Sequence, residues 1–488
     1  MKKALNVFAL ILIVLTMVLC SSCGLTNDQQ TDSEYPELDF DLNDDGESYS
    51  VKQSGIFSQT ELIIPSEYNG LPITVIEERA FSRNNTIQTV IIPDTVITIG
   101  VSAFDECTDI ESLTLSSNLK TIGMNAFANC TSLRSVMIPD SVTQIDMGVF
   151  YGCGNLQDVT ISNNITRIES NLFGGCKNLQ TITIPDKVTY IGSGAFYGCE
   201  KLKEIDIPDG VTFIGLWAFS NCSGLEELVL PDSVTEIEAS AFYACSGLKN
   251  FTFPSSVTKI GSSTLAKCSN LTEVTVEEGN PVYYSESNCI IEKATNTLVD
   301  GFAQFIIPNT VEAIKENAFT ECDGIVDLII PNNIKSIGTQ AFFNCENLSS
   351  ITLPESLTFI DSGAFTGCPN LKNISVAGNN PQYRSAGNCL IDTKYNKLVV
   401  GTANSVIPGY VETIGYAAFY NCTNLTSINI PKSVTYIEMS SFENCNNLTD
   451  INYEGTEDDW YYISYSEGWD YETGAYTIHC ADGNINKE

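Results

Sequence analysis

Apolar and polar positions follow one another along this chain with a strict long period. The apolar residue of an Ile-Pro-Asp-like step recurs at Ile92, Leu115, Ile138, Ile161, Ile184, Ile207, Leu230, Phe253 and Val276, every 23 residues. Phenylalanine keeps the same step at Phe81, Phe104, Phe127, Phe150, Phe173, Phe196, Phe219 and Phe242, with Leu265 in the ninth place. A fixed period of roughly 20 to 50 residues marks a solenoid or a propeller, and this unit is too short for a four-stranded propeller blade. In Glu204-Ile205-Asp206-Ile207 the alternation has period two, which predicts a short strand. The proline that often follows ends it. A second extended segment is predicted over Val211 to Ile214, leading through Gly215 to Ala218 and Phe219 as small and large core fillers. One such turn cannot bury its apolar face alone, so stacking must supply the core. The predicted fold class is a β-rich solenoid with a parallel sheet along its inner face, of the order of 70 Å long at one strand spacing per unit.

Two units break the period. Between Val276 and Ile307, and between Val376 and Ile407, the step is 31 residues. These longer units match each other at an offset of 100: Asn280-Pro281 with Asn380-Pro381, Tyr283 with Tyr383, Asn288-Cys289 with Asn388-Cys389, and Leu298-Val299 with Leu398-Val399. Their Tyr, Ile and Val content predicts a β-hairpin in each, expected to project from the stack.

The cysteines share the period, at 107, 130, 153, 176, 199, 222, 245 and 268 and again at 322, 345, 368, 422 and 445. Stacked one strand spacing apart, about 4.8 Å, they sit too far apart for the Cβ separation of about 3.8 Å in a disulfide. A ladder of reduced, buried thiols is expected, with Cys289, Cys389 and Cys480 outside it.

The two ends differ from the middle. Lys2 and Lys3 precede an apolar run from Val7 to Leu19, shorter than the ~20 residues that span a bilayer. This is an export-signal pattern, assigned to residues 1–22. Small residues before Cys23 in Cys20-Ser21-Ser22-Cys23 resemble in part a bacterial lipoprotein site with Cys23 lipidated, Cys20 standing where the motif prefers Leu; plain secretion and a retained anchor are the alternatives. Residues 24–50 carry nine acids and no Lys or Arg, and residues 23–48 are expected to form a solvated acidic tether. The net charge of -36 argues against nucleic acid, whose phosphates require Lys and Arg. The single histidine, His479, excludes multi-histidine metal sites and His dyads. No phosphate-loop, nucleophile-elbow or HExxH motif is present. No cofactor, metal or catalytic residue is therefore assigned. Asp41-x-Asn43-x-Asp45-Gly46 looks like the start of a calcium loop, but Lys52 stands where a bidentate Glu is required, so an acidic turn is expected.

The unit Leu-x-x-Ile-x-Ile-Pro-x-x-Val-x-x-Ile-Gly-x-x-Ala-Phe-x-x-Cys, carried whole by residues 202–222, resembles the treponemal-type, or BspA-like, leucine-rich repeat. The resemblance covers about residues 60 to 453. It extends to a lead-in from Tyr49 and a C-terminal cap around Trp460 and His479. Ser116, Ser162, Glu277 and Ala377 depart from its proline and Leu265 from its phenylalanine. On this resemblance residues 49–453 form the repeat solenoid with its N-terminal unit, and residues 454–488 an aromatic cap. The resemblance implies a bacterial cell-surface protein acting in adhesion or contact with host proteins or other cells, in a family not known for catalysis.

Alternate residues of the first strand should face outward as an acidic, threonine-rich band. Asp158, Thr160, Thr181, Thr183, Glu204, Asp206, Glu273 and Thr275 are its candidate ligand residues. They suit a basic or hydroxyl-rich partner, namely a host or bacterial surface protein or a glycan. Simple solvation of strand positions reads the same residues without any ligand, and a structural spacer is the alternative function; a carboxylate-based hydrolase is the third. The terminal aromatics, among them Trp460, Trp469 and Tyr476, are expected to close the last turn of the core, with sugar stacking as the other use.

Overall fold

The computed structural model describes residues 35–302 and 305–487. The expected leader and the lipid site at Cys23 lie outside the described residues. Most 23-residue units contribute one short strand to each of two parallel ladders. The first ladder runs through Glu61–Ile63, Thr89–Ile91 and Ser112–Thr114, and resumes as Ser135–Met137, Asp158–Thr160 and Thr181–Ile182. The second runs through Leu71–Ile76, Thr98–Ile99, Thr121–Ile122 and Gln144–Ile145, and again from Arg167–Ile168 to Lys259–Ile260. Pairing is in step with the sequence period, as in Ile99 opposite Ile122 and Ile191 opposite Ile214. Each such isoleucine is buried, so neighbouring units bury one another's apolar faces.

Between the second ladder and the next unit the chain makes two left-handed bends per unit, at positions such as Asn125 and Asn129 or Gly194 and Gly198. Asn and Gly tolerate positive φ, which is why this segment is rich in them. The phenylalanines stack through the core as nearly parallel rings 5.2 to 5.9 Å apart from Phe81 to Phe242. Beside them run the thiols. Cys130 donates to the carbonyl of Phe104 at 3.3 Å and Cys153 to that of Phe127 at 3.2 Å. All described cysteines are free. Burial pushes the thiols of Cys107 and Cys153 up to about 12, so they stay protonated and act as small core residues that each satisfy a carbonyl.

The two longer units do not project, which corrects the sequence expectation. In the first, Tyr283–Glu286, Cys289–Glu292 and Thr297–Gly301 form an antiparallel meander, and its last strand pairs in parallel with Ala313–Ile314 of the second ladder. Ile290 and Val299 pack into the core before it, while Cys289, Ile291 and Leu298 pack into the core after it. The unit at 383–400 is built alike, with Leu390 facing back and Cys389, Ile391 and Leu398 facing forward. Each is a sheet layer set across the stack and buried on both faces, and together they divide the core into three segments. Polar side chains end the ladders there. The Tyr283 hydroxyl accepts from the Ile260 amide at 3.4 Å, and Tyr383 does the same for Ile360 at 2.8 Å.

The folded part also begins earlier than expected. Leu38–Leu42 pairs antiparallel with Tyr49–Gln53, and Phe40 stacks on Tyr68 at 4.2 Å. Residues 38–48 therefore belong to the fold and not to the tether: their apolar Leu38 and Phe40 cover the open end of the first unit. At the other end a short helix, Glu457–Tyr461, is held by a capping box on Thr456. It buries Trp460, which with Trp469 and Tyr476 closes the last core segment.

Candidate functional site

Six of the eight candidate ligand residues come together. Asp158, Thr160, Thr181, Thr183, Glu204 and Asp206 line one cavity of about 380 Å³ on the outer face of the first ladder. All six side chains are exposed, and Val159, Ile182 and Ile205 form the floor between them. Successive units place Asp158, Thr181 and Glu204 on one row and Thr160, Thr183 and Asp206 on the next. The cavity thus presents three carboxylates and three hydroxyls, with no Lys or Arg among its lining residues. Glu273 and Thr275 lie on the same face but apart, on Glu273–Val276, where Thr275 shares a hydroxyl hydrogen bond of 2.9 Å with Thr252.

The cavity sits where the first ladder opens. Beyond Thr181–Ile182 the next strand of that ladder is Asn250–Phe253. Residues 204–207, predicted as a strand, keep the alternating burial of one but do not pair as one. The unit that follows supplies one reason. Glu204 and Glu227 stand directly opposite each other at a step of 23, and like charges opposed across strands disfavour pairing. A second cavity of about 380 Å³ continues from Glu204 and Asp206 to Asp209, Glu227 and Val229. The acidic band is therefore concave and interrupted here, while its backbone amides and carbonyls are unclaimed by a neighbouring strand.

The other candidates hold their own partners. Asp41 forms an ion pair with Lys52, and the Asp45 carboxylate accepts from the amides of Glu47 and Ser48 at 2.8 and 3.0 Å. Among the described residues no three His, Cys, Asp or Glu side chains are grouped to hold a metal ion. His479 bonds through Nε2 to Asp450 at 2.7 Å and through Nδ1 to Asn484 at 3.2 Å. Its hydrogen bond to Asp450 raises its pKa. Both ring nitrogens are engaged, so His479 pins its own strand to Asp450–Tyr453 of the last repeat and to Asn484–Lys487 of the cap. No helix among the described residues is long and apolar enough to cross a membrane. Sequence reasoning missed a third cavity, lined by Tyr151, Tyr197, Trp217 and Tyr243 among others. The available signal was Trp217, standing where other units carry Gly, Asn or Ser.

Stacked two-strand units, a ladder of phenylalanine rings and a solvated sheet face define a leucine-rich-repeat protein, a class that works through its surface. The model of the BspA type leucine rich repeat region matches residues 55–180, 166–290, 290–400 and 395–466, and the chain belongs to that family. Among solved structures, a leucine rich cell surface protein from Faecalibacterium prausnitzii is 27% identical, with 92% of this chain and 100% of that chain covered and a TM-score of 0.48. A leucine-rich repeat protein from Bacteroides ovatus is 20% identical over 93% of this chain and 100% of that chain, at a TM-score of 0.47. The leucine rich repeat protein of T. pallidum is 24% identical over 49% of this chain and 89% of that one, at 0.33. Among curated proteins none matches significantly.

Proposed function

We propose that this is a non-catalytic binding protein of the cell surface, anchored to the outer face of the membrane through a lipidated Cys23, that contacts a surface protein, glycan or neighbouring cell with the acidic face of its first ladder. The observation that carries this reading is the cavity itself. Six side chains picked for their outward register converge on one concavity, at the edge beyond which the ladder gives up its own pairing. A solvated spacer needs neither feature. Three carboxylates with three hydroxyls favour a basic, hydrogen-bonding partner, and the chain's net charge of -36 draws such a partner in over long range.

The test is saturable binding of residues 24–488 to panels of matrix proteins, mucins and glycans across a salt series. Binding should weaken as salt rises, and Glu204→Lys with Asp206→Lys should cost at least tenfold in affinity. Silence across the panels would turn the reading toward a spacer, and binding indifferent to both salt and charge reversal would move the contact off this face. Globomycin-sensitive processing and labelling by a fatty-acid analogue that is lost in Cys23→Ala would establish the anchor; unchanged labelling would refute it.

A further inference from the structure

We infer that the turn segments following the second ladder carry a separate binding groove for a neutral glycan, with Tyr151, Tyr197 and Trp217 as its stacking platform. Three observations support it together. The first is the shape and lining: a cavity of about 580 Å³ is formed by these rings and by Asn171, Asn221 and Tyr243, with Glu321 at its end. That volume lies in the range of small-ligand sites. The second is exposure. Tyr151, Tyr197 and Trp217 are 43%, 42% and 51% exposed, and among the described residues no other ring stacks on them. Tyr151 lies along Gly174, where a Cβ would come within 3.1 Å of the ring, so its ring is held against the surface with one face free.

The third is backbone cost. Trp217 has φ +55, and it is the only aromatic among the described non-glycine residues with positive φ. Corresponding positions carry Asn171, Gly194 and Ser240. A bulky residue in this region is strained by about 1–3 kcal/mol. Nothing in the core compensates for it, because the side chain points to solvent.

Flat rings beside amides, hydroxyls and one carboxylate match the chemistry of a sugar. Its C–H face packs on an aromatic ring while its hydroxyls bond to the polar groups between the rings. The Tyr243 hydroxyl donates to Glu321, which also pairs with Lys267 at 3.5 Å, so the end wall is preorganised. With Glu321 at that wall and a net charge of -36, anionic sugars are repelled and a neutral glycan fits. Tyr151, Tyr197 and Tyr243 are spaced two units apart, roughly 10 Å, which suits an extended chain more than a single sugar. The groove lies away from Glu204 and Asp206, so it stands or falls independently of the function proposed above.

Residues 24–488 would be titrated with neutral gluco-, xylo- and manno-oligosaccharides of several lengths, followed by calorimetry and tryptophan fluorescence. Trp460 and Trp469 are buried, so Trp217 reports on the groove. At least one series should saturate, with affinity growing with length and insensitive to salt. Trp217→Asn should lose at least tenfold without a fall in Tm, because Asn171 already holds the same left-handed position. Tyr197→Ser, at another exposed position, should give a comparable loss. Glu204→Lys with Asp206→Lys should leave glycan affinity unchanged. Absence of saturation in every series, or Trp217→Asn binding within twofold of the parent, would overturn the inference.

Discussion

The two long units are built alike but differ at several buried positions, and the contrast between Asp300 and Val400 is the one that changes the chemistry of the layer. In both, a tyrosine hydroxyl ends the preceding ladder, and a glycine admits the next phenylalanine. A Cβ on Gly301 would lie 2.0 Å from Phe319, and one on Gly401 would lie 2.1 Å from Phe419. In the second unit the residue before that glycine is Val400, buried and apolar. In the first it is Asp300, also buried, whose carboxylate accepts from the amides of Thr264 and Gly301 at 3.0 and 3.1 Å. The preceding ring position differs as well, with Leu265 in the first block and Phe365 in the second. A cavity of about 250 Å³ at the first junction is lined in part by Leu265, Asp300 and Phe302. The first layer thus buries a carboxyl group at this junction, beside a cavity, where the second places a valine and, two residues on, buried Thr402. Same-sized layers can terminate a core segment with either chemistry, provided the glycine and the tyrosine are kept.

Removing the ring that both layers share should have the largest effect. Phe319→Ala and Phe419→Ala should each cost about 3–5 kcal/mol in chemical denaturation; a marked inequality between them would mean that the layers do not bear on their neighbours alike. Next come Gly301→Ala and Gly401→Ala, each expected to cost about 1–3 kcal/mol because a buried ring must move. Matching losses at the two sites would sustain the equivalence.

The contrast between the layers is sharpened by Asp300→Asn. Burial holds the Asp300 carboxyl well above the usual carboxylate range. Its folded pKa exceeds the unfolded value, so the folded state binds the extra proton. Stability linked to this group is full below the unfolded pKa, near 3.9, and falls as pH rises toward the folded value. The stability of Asp300→Asn should therefore rise relative to the parent as pH increases from 4 to 8, in denaturation curves taken at both pH values. A parallel pair of pH profiles would show that Asp300 carries no such linkage. Smallest is the stability effect of Glu204→Lys with Asp206→Lys. On an exposed face it should stay within about 0.5 kcal/mol, so any loss of binding belongs to the surface and not to unfolding.

Much of this was legible in the sequence because the period imposes it. A 23-residue step at Ile, Phe and Cys places each on one buried row, and the structure keeps every row. The placement of the long units was not read correctly, although a signal existed. Cys289-Ile290-Ile291 is a continuous apolar run, the mark of a strand buried on both faces, whereas a projecting hairpin would alternate. The opening of the first ladder was invisible to a unit-by-unit reading. The residues 204–207 have the same pattern as paired strands, and the opposition of Glu204 and Glu227 that disfavours pairing shows only across units. The early start of the fold was hidden by the acids around Leu38 and Phe40, which make an edge strand look like a tether. Outward register, by contrast, follows from period two alone, and it sufficed to bring six candidate residues to one cavity.

The most direct test of the account is amide hydrogen exchange along the first ladder of residues 24–488, alone and with the ligand selected by the binding panels. Residues 204–207 and 227–230 should exchange quickly in the free protein while Asn250–Phe253 stays protected, and ligand should slow the fast stretch selectively. Protection of that stretch equal to its neighbours in the free protein, or ligand protection confined to other parts of the solenoid, would contradict the claim that the open acidic stretch is the contact surface.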